Sequence, residues 1–243
     1  METYSEQYRV RFSEVDRNGR LRLRAFFDYA QEVAGIHARK LGVSSASLWA
    51  MHQAWMVSRM RIRIKDYPGA SSEIVVKTWP SGFDKLFAVR EYEFSYADSG
   101  EVFAEASSSW LIVDTEHKRI LPASRRLAGS QFELLAKEEA RRFFPALERL
   151  APSQEPLPLL RSFVVPEAMI DGNSHVNNAE YAGMLQDAFG IGCYPGEFQI
   201  NYLRAIPPES SVALHGRRDE SGDFRLTGMV EGSPAFEIEG TWR

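Results

Sequence analysis

The most unusual stretch of this chain is Asp171-Gly172-Asn173-Ser174-His175-Val176-Asn177-Asn178-Ala179-Glu180-Tyr181, a polar turn that opens directly into an apolar-faced helical pattern. Asp171, Asn173 and His175 fall at i, i+2 and i+4, just ahead of the backbone donors that a helix N-terminus directs outward. An imidazole near its ordinary pKa acts as a general base. An Asn or Asp beside it orients water or the ring, and helix-end N–H groups stabilise an oxyanion. Together these groups are equipped for attack on an acyl carbonyl; the plainer reading of His175 is a surface histidine near a helix start. Asn177 followed three residues later by Glu180 fits a capping-box variant, which accounts for both on structural grounds alone.

Two copies of one pattern must position these groups. Tyr181, Met184, Leu185 and Ala188 repeat the helical spacing of Phe26, Tyr29, Ala30 and Val33 in FFDYAQEVAGIHARKLG (26–42), where Gly42 is the expected stop. The offset between copies is constant, and it also lays Asp16 and Asn18 on Asp171 and Asn173, with Arg20 where His175 stands. Arginine stays protonated and cannot be a base at neutral pH, so a single catalytic centre is expected, in the second half. After the first helix, MVSRMRIRIK puts Met56, Ser58, Met60, Ile62 and Ile64 on one face and Arg59, Arg61, Arg63 and Lys65 on the other, the alternation of a half-buried strand. Strands are expected at 71–79, 85–98 and 101–114, the last two joined through Ser99-Gly100, and again in RSFVVPEAM, FQINYLRAI, SVALHGRR, DFRLTGMVEG and PAFEIEGTW. Residues 130–150 read as a charged helix, and APSQEPLPLL, with three prolines, reads as a connector. The expected class is α+β, with a first unit over 1–129, a linker over 130–160 and a second unit over 161–243, each a helix with an antiparallel sheet.

Composition narrows the function. The 243 residues are 44% hydrophobic and 26% charged, which supplies a core, and a formal charge of −4 argues against nucleic acid as the main partner. The lone Cys193 excludes an intramolecular disulfide and reads as a small buried residue. Without a long apolar run, no membrane span or signal peptide is expected, and the cytoplasm is the default compartment. His37, His52, His117 and His215 are scattered, and there is no GxSxG elbow, P-loop or dinucleotide fingerprint, so neither metal nor cofactor is expected.

The D-x-N-x-H-V-N-N-x-x-Y segment, the duplication, the central linker and the opening YRVRFSEVDRNGRLRLRAFFDYAQEVA together resemble the acyl-acyl-carrier-protein thioesterases. The resemblance implies a tandem (double) hot-dog fold, each unit a long helix wrapped by an antiparallel sheet. It also implies release of free fatty acid from an acyl carrier protein bearing a fatty acyl thioester. It assigns Asp171, Asn173 and His175 as catalytic, with Asn173 and His175 engaging thioester and water while Asp171 orients Asn173. Asn177, Asn178 and Tyr181 of the same motif become substrate-binding residues. Plant members carry a further Glu where this chain has Ala205, which leaves Glu209 or Gln199 as substitutes, or His175 acting with Asp171 alone. Phe26, Phe27, Trp49, Met51, Trp55, Met56, Met60 and Phe87 are candidates for an acyl tunnel, as well as for plain core. An acidic carrier would dock on Arg59, Arg61, Arg63 and Lys65, with Arg125 and Arg126, against the simpler reading of a solvated sheet face. An acyl-coenzyme A thioesterase and a non-catalytic acyl-thioester-binding protein are the competing functions, and assembly into a homodimer is left open.

Overall fold

The structure is a computed structural model that describes residues 3–137, 141–153, 155–190, 192 and 194–242. The first helical pattern forms α1 (Leu23–Lys40), whose buried stripe includes Phe26, Tyr29, Ala30 and Val33. It ends where Gly42 takes φ +73°, a conformation glycine adopts without steric cost. The second forms the shorter α5 (Glu180–Phe189), burying Tyr181, Met184 and Leu185. Around them run β1 (Tyr4–Arg9), β2 (Gln53–Ile64), β3 (Glu73–Asp84), β4 (Phe87–Tyr96), β5 (Val102–Asp114), the short β6 (Arg119–Leu121), β7 (Leu159–Val164), β8 (Pro195–Tyr202), β9 (Ser211–Arg218), β10 (Asp223–Val230) and β11 (Ser233–Trp242). Short helices α2 (Ser45–Trp49), α3 (Ala123–Arg126) and α4 (Gln131–Lys137), with single 3₁₀ turns at Phe12–Glu14 and Glu167–Met169, complete the described elements.

The strands form one antiparallel sheet in the order β1-β3-β4-β5-β2-β8-β11-β10-β9-β7, with β6 beside β5. Its centre is the pairing of β2 with β8, from Arg59 opposite Asn201 to Arg63 opposite Glu197. Read outward from β2, the order β5, β4, β3, β1 is matched from β8 by β11, β10, β9, β7. Both helices pack on one face of this sheet and share a continuous core, in which the Phe27 and Phe198 rings stack at 5.9 Å. Phe26 meets Tyr67, Phe94 and Phe103 edge-on.

Two expectations are corrected. Alternation along β2 is broken by a bulge at Ser58, so Val57 is buried while Met56 is exposed; Met60, Ile62 and Ile64 remain inward as expected. An extra residue in one strand shifts the facing of everything beyond it. The helix expected over 130–150 is confined, among the described residues, to α4. Residues 141–150 instead run irregularly across the outer face of the sheet, where Phe144 and Leu147 are buried. Pro145 opposes a helix there, and side chains of the sheet claim the backbone. Trp79 Nε1 donates to Arg141 O (2.9 Å), Arg59 Nη1 to Leu147 O (2.6 Å) and Gln199 Nε2 to Glu148 O (2.7 Å), while Glu91 accepts from Phe143 N–H (3.2 Å).

This strap changes the meaning of the basic row on β2. Arg61 and Arg63 bind Glu197 at 2.8 and 2.7 Å through Nε and lie over the Phe144 ring, Arg63 and Lys65 approach Glu105 at 3.7 and 3.8 Å, and Arg59 lies over Phe87. Arg59, Arg61, Arg63 and Lys65, expected as a docking row, are half-exposed, and their charges are already engaged with strap and strands.

Candidate active site

The turn ahead of α5 is fixed by its own hydrogen bonds. Asp171 N–H donates to His175 O (2.9 Å), Ser174 N–H to Asp171 O (2.9 Å) and Asn173 N–H to the Asp171 carboxylate (2.8 Å). The last is the side-chain-to-backbone bond that favours Asp in turns. Asn173 Nδ2 also faces the second Asp171 oxygen at 3.4 Å. Asn177 N–H and Val176 N–H anchor the turn to Met169 O and Ile206 O. The expected capping box does not form. Asn177 Oδ1 accepts from Ala179 N–H (2.9 Å), but Glu180, 4% exposed, turns to Arg24 of α1 at 2.6 Å instead of back to the turn. Burial raises the Glu180 pKa, and Arg24 opposes that shift.

Asp171, Asn173 and Asn178 line a cavity of about 310 Å³. The rest of its wall comes from the first half of the chain: Gln31, Glu32, Ala34, Gly35 and Ala38 on α1, Ser45 on α2, Trp55, Ala88, Arg90 and Trp110 on the sheet, and Phe132 on α4. The volume and the mixture of aromatic wall with a few convergent polar groups are those of a small-molecule site. His175 lies in the same turn but is exposed and is not among the lining residues. Tyr181 is 2% exposed and packs edge-on against Tyr202 and Phe236, so it is a core residue and not a wall of the cavity. Asn177 does not cap α5 as its spacing suggested: the N-cap position is Ala179, and the Asn177 side chain closes a turn onto Ala179 N–H two residues on.

Of the expected tunnel residues, Trp55 lines this cavity. Phe26, Phe27 and Met60 belong to the core, whereas Trp49, Met51 and Met56 are exposed. Gln199 lies on the outer face, bonded to Glu148 O and Asn201, and Glu209 is exposed outside the cavity. Neither stands in for the carboxylate that Ala205 lacks. Sequence reading missed Glu32, an exposed carboxylate that lines the cavity opposite the turn and makes no ion pair among the described residues. Its signal was the small-residue step Ala34-Gly35-Ala38 beside it, which leaves room on that helix face. Arg90 was missed too, hidden in an otherwise ordinary strand. Cys193 lies outside the described residues.

The first-half turn repeats these backbone bonds at the same offset. Asp16 N–H donates to Arg20 O (2.8 Å), Gly19 N–H to Asp16 O (2.9 Å) and Asn18 N–H to the Asp16 carboxylate (2.8 Å). This copy is closed. Tyr194 donates to Asp16 (2.8 Å) and accepts from Asn18 Nδ2 (2.9 Å), and Arg20 lies over its ring.

Comparisons with known proteins fit this arrangement. Residues 1–125 match the family model described as the acyl-ACP thioesterase N-terminal domain. The chain is 25% identical over 197 residues to the chloroplastic oleoyl-acyl carrier protein thioesterase of Coriandrum sativum, covering 76% of this chain and 53% of that protein. It is 21% identical over 196 residues to the chloroplastic palmitoyl-acyl carrier protein thioesterase of Arabidopsis thaliana, covering 78% and 48%. The chain thus spans about half the length of the curated relatives it matches. Among solved structures, an acyl-ACP thioesterase from Bacteroides thetaiotaomicron superposes with a TM-score of 0.87 at 20% identity over 99% of this chain and 98% of that one. The 12:0-ACP thioesterase of Umbellularia californica gives 0.80 at 17% over 99% and 97%. These likenesses place the fold in the hot-dog class, and with the matched family model they establish that this chain belongs to the acyl-ACP thioesterase family.

Proposed function

We propose that this chain hydrolyses fatty acyl thioesters carried on acyl carrier protein and releases the free fatty acid. The observation that carries this reading is one cavity in which Asp171, Asn173 and Asn178 face an apolar and aromatic wall supplied by the other half of the chain. The acyl chain enters that wall, and the thioester stays at the polar turn with its sulfur toward solvent. A water adds to the carbonyl carbon, the C–S bond breaks, and the carrier's thiol leaves with a proton. Amide donors of Asn173 and Asn178 polarise the carbonyl. Glu32 supplies the carboxylate that takes the water's proton, with Asp171 holding Asn173 in place. His175, exposed in the same turn, serves the sulfur side as proton donor.

The mirrored strand order and the repeated turn support reading the chain as two hot-dog units, 1–129 and 161–243, joined by 130–160 and paired through β2 and β8 as a homodimer of single units would be. In this reading the second unit supplies the reacting turn, and the first shapes the acyl pocket and contributes Glu32 as the base.

The test is a thiol-release assay on carrier-protein thioesters of graded chain length, run beside coenzyme A thioesters. Release from carrier thioesters that falls about 100-fold or more in Asn173→Ala is expected. Equal activity of wild type and Asn173→Ala would refute the assignment, and a preference for coenzyme A thioesters would reassign the carrier.

A further inference from the structure

Arg90 is 5% exposed, yet it stands in the cavity wall. Its Nη1 donates to Thr78 Oγ1 at 3.2 Å and faces His37 Nδ1 at 3.1 Å, and its guanidinium lies over the Phe132 ring at 5.8 Å. A guanidinium has five N–H donors. Among the described residues Nε and Nη2 donate to nothing, and no carboxylate pairs with the charge. Asp171 and Glu32 line the same cavity without reaching it in an ion pair. His37 offers no compensation. It is 2% exposed, and burial, Arg90 and Lys40 lower its pKa to about 4, so it stands neutral as an acceptor. Buried cations are ordinarily paired or fully hydrogen-bonded; here the remaining N–H groups are left accessible, at a residue that lines the cavity.

We propose that Arg90 is a specificity-determining residue that receives an oxygen-bearing far end of the acyl group, a carboxylate above all. The cavity then takes acyl chains ending in oxygen in preference to plain hydrocarbon chains. This rests on the thioesterase reading of the site. Methylenes pack against Trp55, Trp110 and Phe132, and the free edge of the guanidinium presents the planar fork that matches a carboxylate. A methyl end at the same place leaves those donors desolvated and unpaired.

The experiment uses carrier-protein thioesters of one chain length that end in methyl, hydroxyl or carboxylate. The wild type is expected to favour the carboxylate-ended substrate over the methyl-ended one by about 10- to 100-fold in kcat/KM, the range of a charge-assisted hydrogen bond. Arg90→Met should abolish that preference, and Arg90→Lys should keep part of it, with circular dichroism reporting the folding of each. The wild-type substrate order stands as a test even if neither variant folds. A methyl-ended substrate cleaved fastest by the wild type, with the order unchanged in a folded Arg90→Met, overturns the proposal. A parallel thermal-shift titration with the free dicarboxylic acid separates it from the parent reading. Stabilisation of wild type but not of Arg90→Met supports the Arg90 site even if no thioester is cleaved, whereas no stabilisation together with hydrolysis of plain acyl thioesters overturns the Arg90 site alone.

Discussion

Asp171 accepts the Asn173 backbone N–H while its own N–H is held by His175 O, so the turn proposed to hold the thioester is fixed by its own hydrogen bonds. Pre-organisation of this kind lets a few amide donors stabilise a developing oxyanion. Replacing Glu32 by Gln keeps the shape of the wall and removes the carboxylate proposed as the base. The expected result is a fall in kcat of about 10²- to 10⁴-fold with KM nearly unchanged, seen in steady-state thiol release. Unaltered turnover would return the role of base to the turn itself. His37 makes a separate prediction. Its pKa in the folded state, about 4, lies below the ordinary 6.5, so the unfolded chain binds the extra proton first. Stability is full above pH 6.5 and falls as the pH drops toward 4, by on the order of 3 kcal/mol across that window. Urea melts of wild type against His37→Gln should differ in slope there, and parallel pH profiles would count against it.

At the scale of elements, α1 does two jobs on two faces. Phe26, Ala30 and Val33 fasten it to the sheet, and Phe26→Ala should cost about 3–5 kcal/mol, measured as a shift in the denaturation midpoint. Its other face leaves space: a Cβ built on Gly35 meets nothing within 4 Å, on a wall of the cavity. Gly35→Ala should therefore stabilise the helix by about 0.5–1 kcal/mol. Gly35→Leu should fill the cavity and depress hydrolysis of longer acyl chains more than shorter ones, which a chain-length series of kcat/KM values measures. The irregular 141–150 segment is an element in its own right. Burial raises the pKa of Glu91, which Ser81 (2.7 Å), Ser107 and Phe143 N–H hydrogen-bond beneath the strap. Alternation predicted the strands on either side of this segment well, and Pro145 was the one local hint that a charged run would not be helical.

In the whole molecule, the two halves share strand pairing from β2 to β8, a common core and the ion pair between Arg24 and Glu180. The strap adds contacts from residues 141–148 to β2, β3, β4 and β8. Cleavage beside the irregular residues 151–153 or 155–157 should leave the halves associated: after a limited protease nick, they are expected to elute together in size-exclusion chromatography and, on the proposed function, to retain thiol release. Separation into two peaks would show that the covalent link, and not the shared sheet, holds them. The apolar wall and the polar turn come from opposite halves, so the cavity exists only in the assembled sheet.

Local pattern was enough for the two core helices α1 and α5, the succession and facing of most strands, and the turn at 171–178, because these follow from side-chain periodicity and from short-range bonds between neighbours in the chain. The opposing members of the cavity were beyond its reach. Glu32 lies well over a hundred residues from Asn173, and their meeting depends on how α1 crosses the shared sheet. The same holds for the basic row of β2. Spacing placed Arg61 and Arg63 on the outer face, but long-range packing alone decided that Glu197 and the strap would meet their charges there.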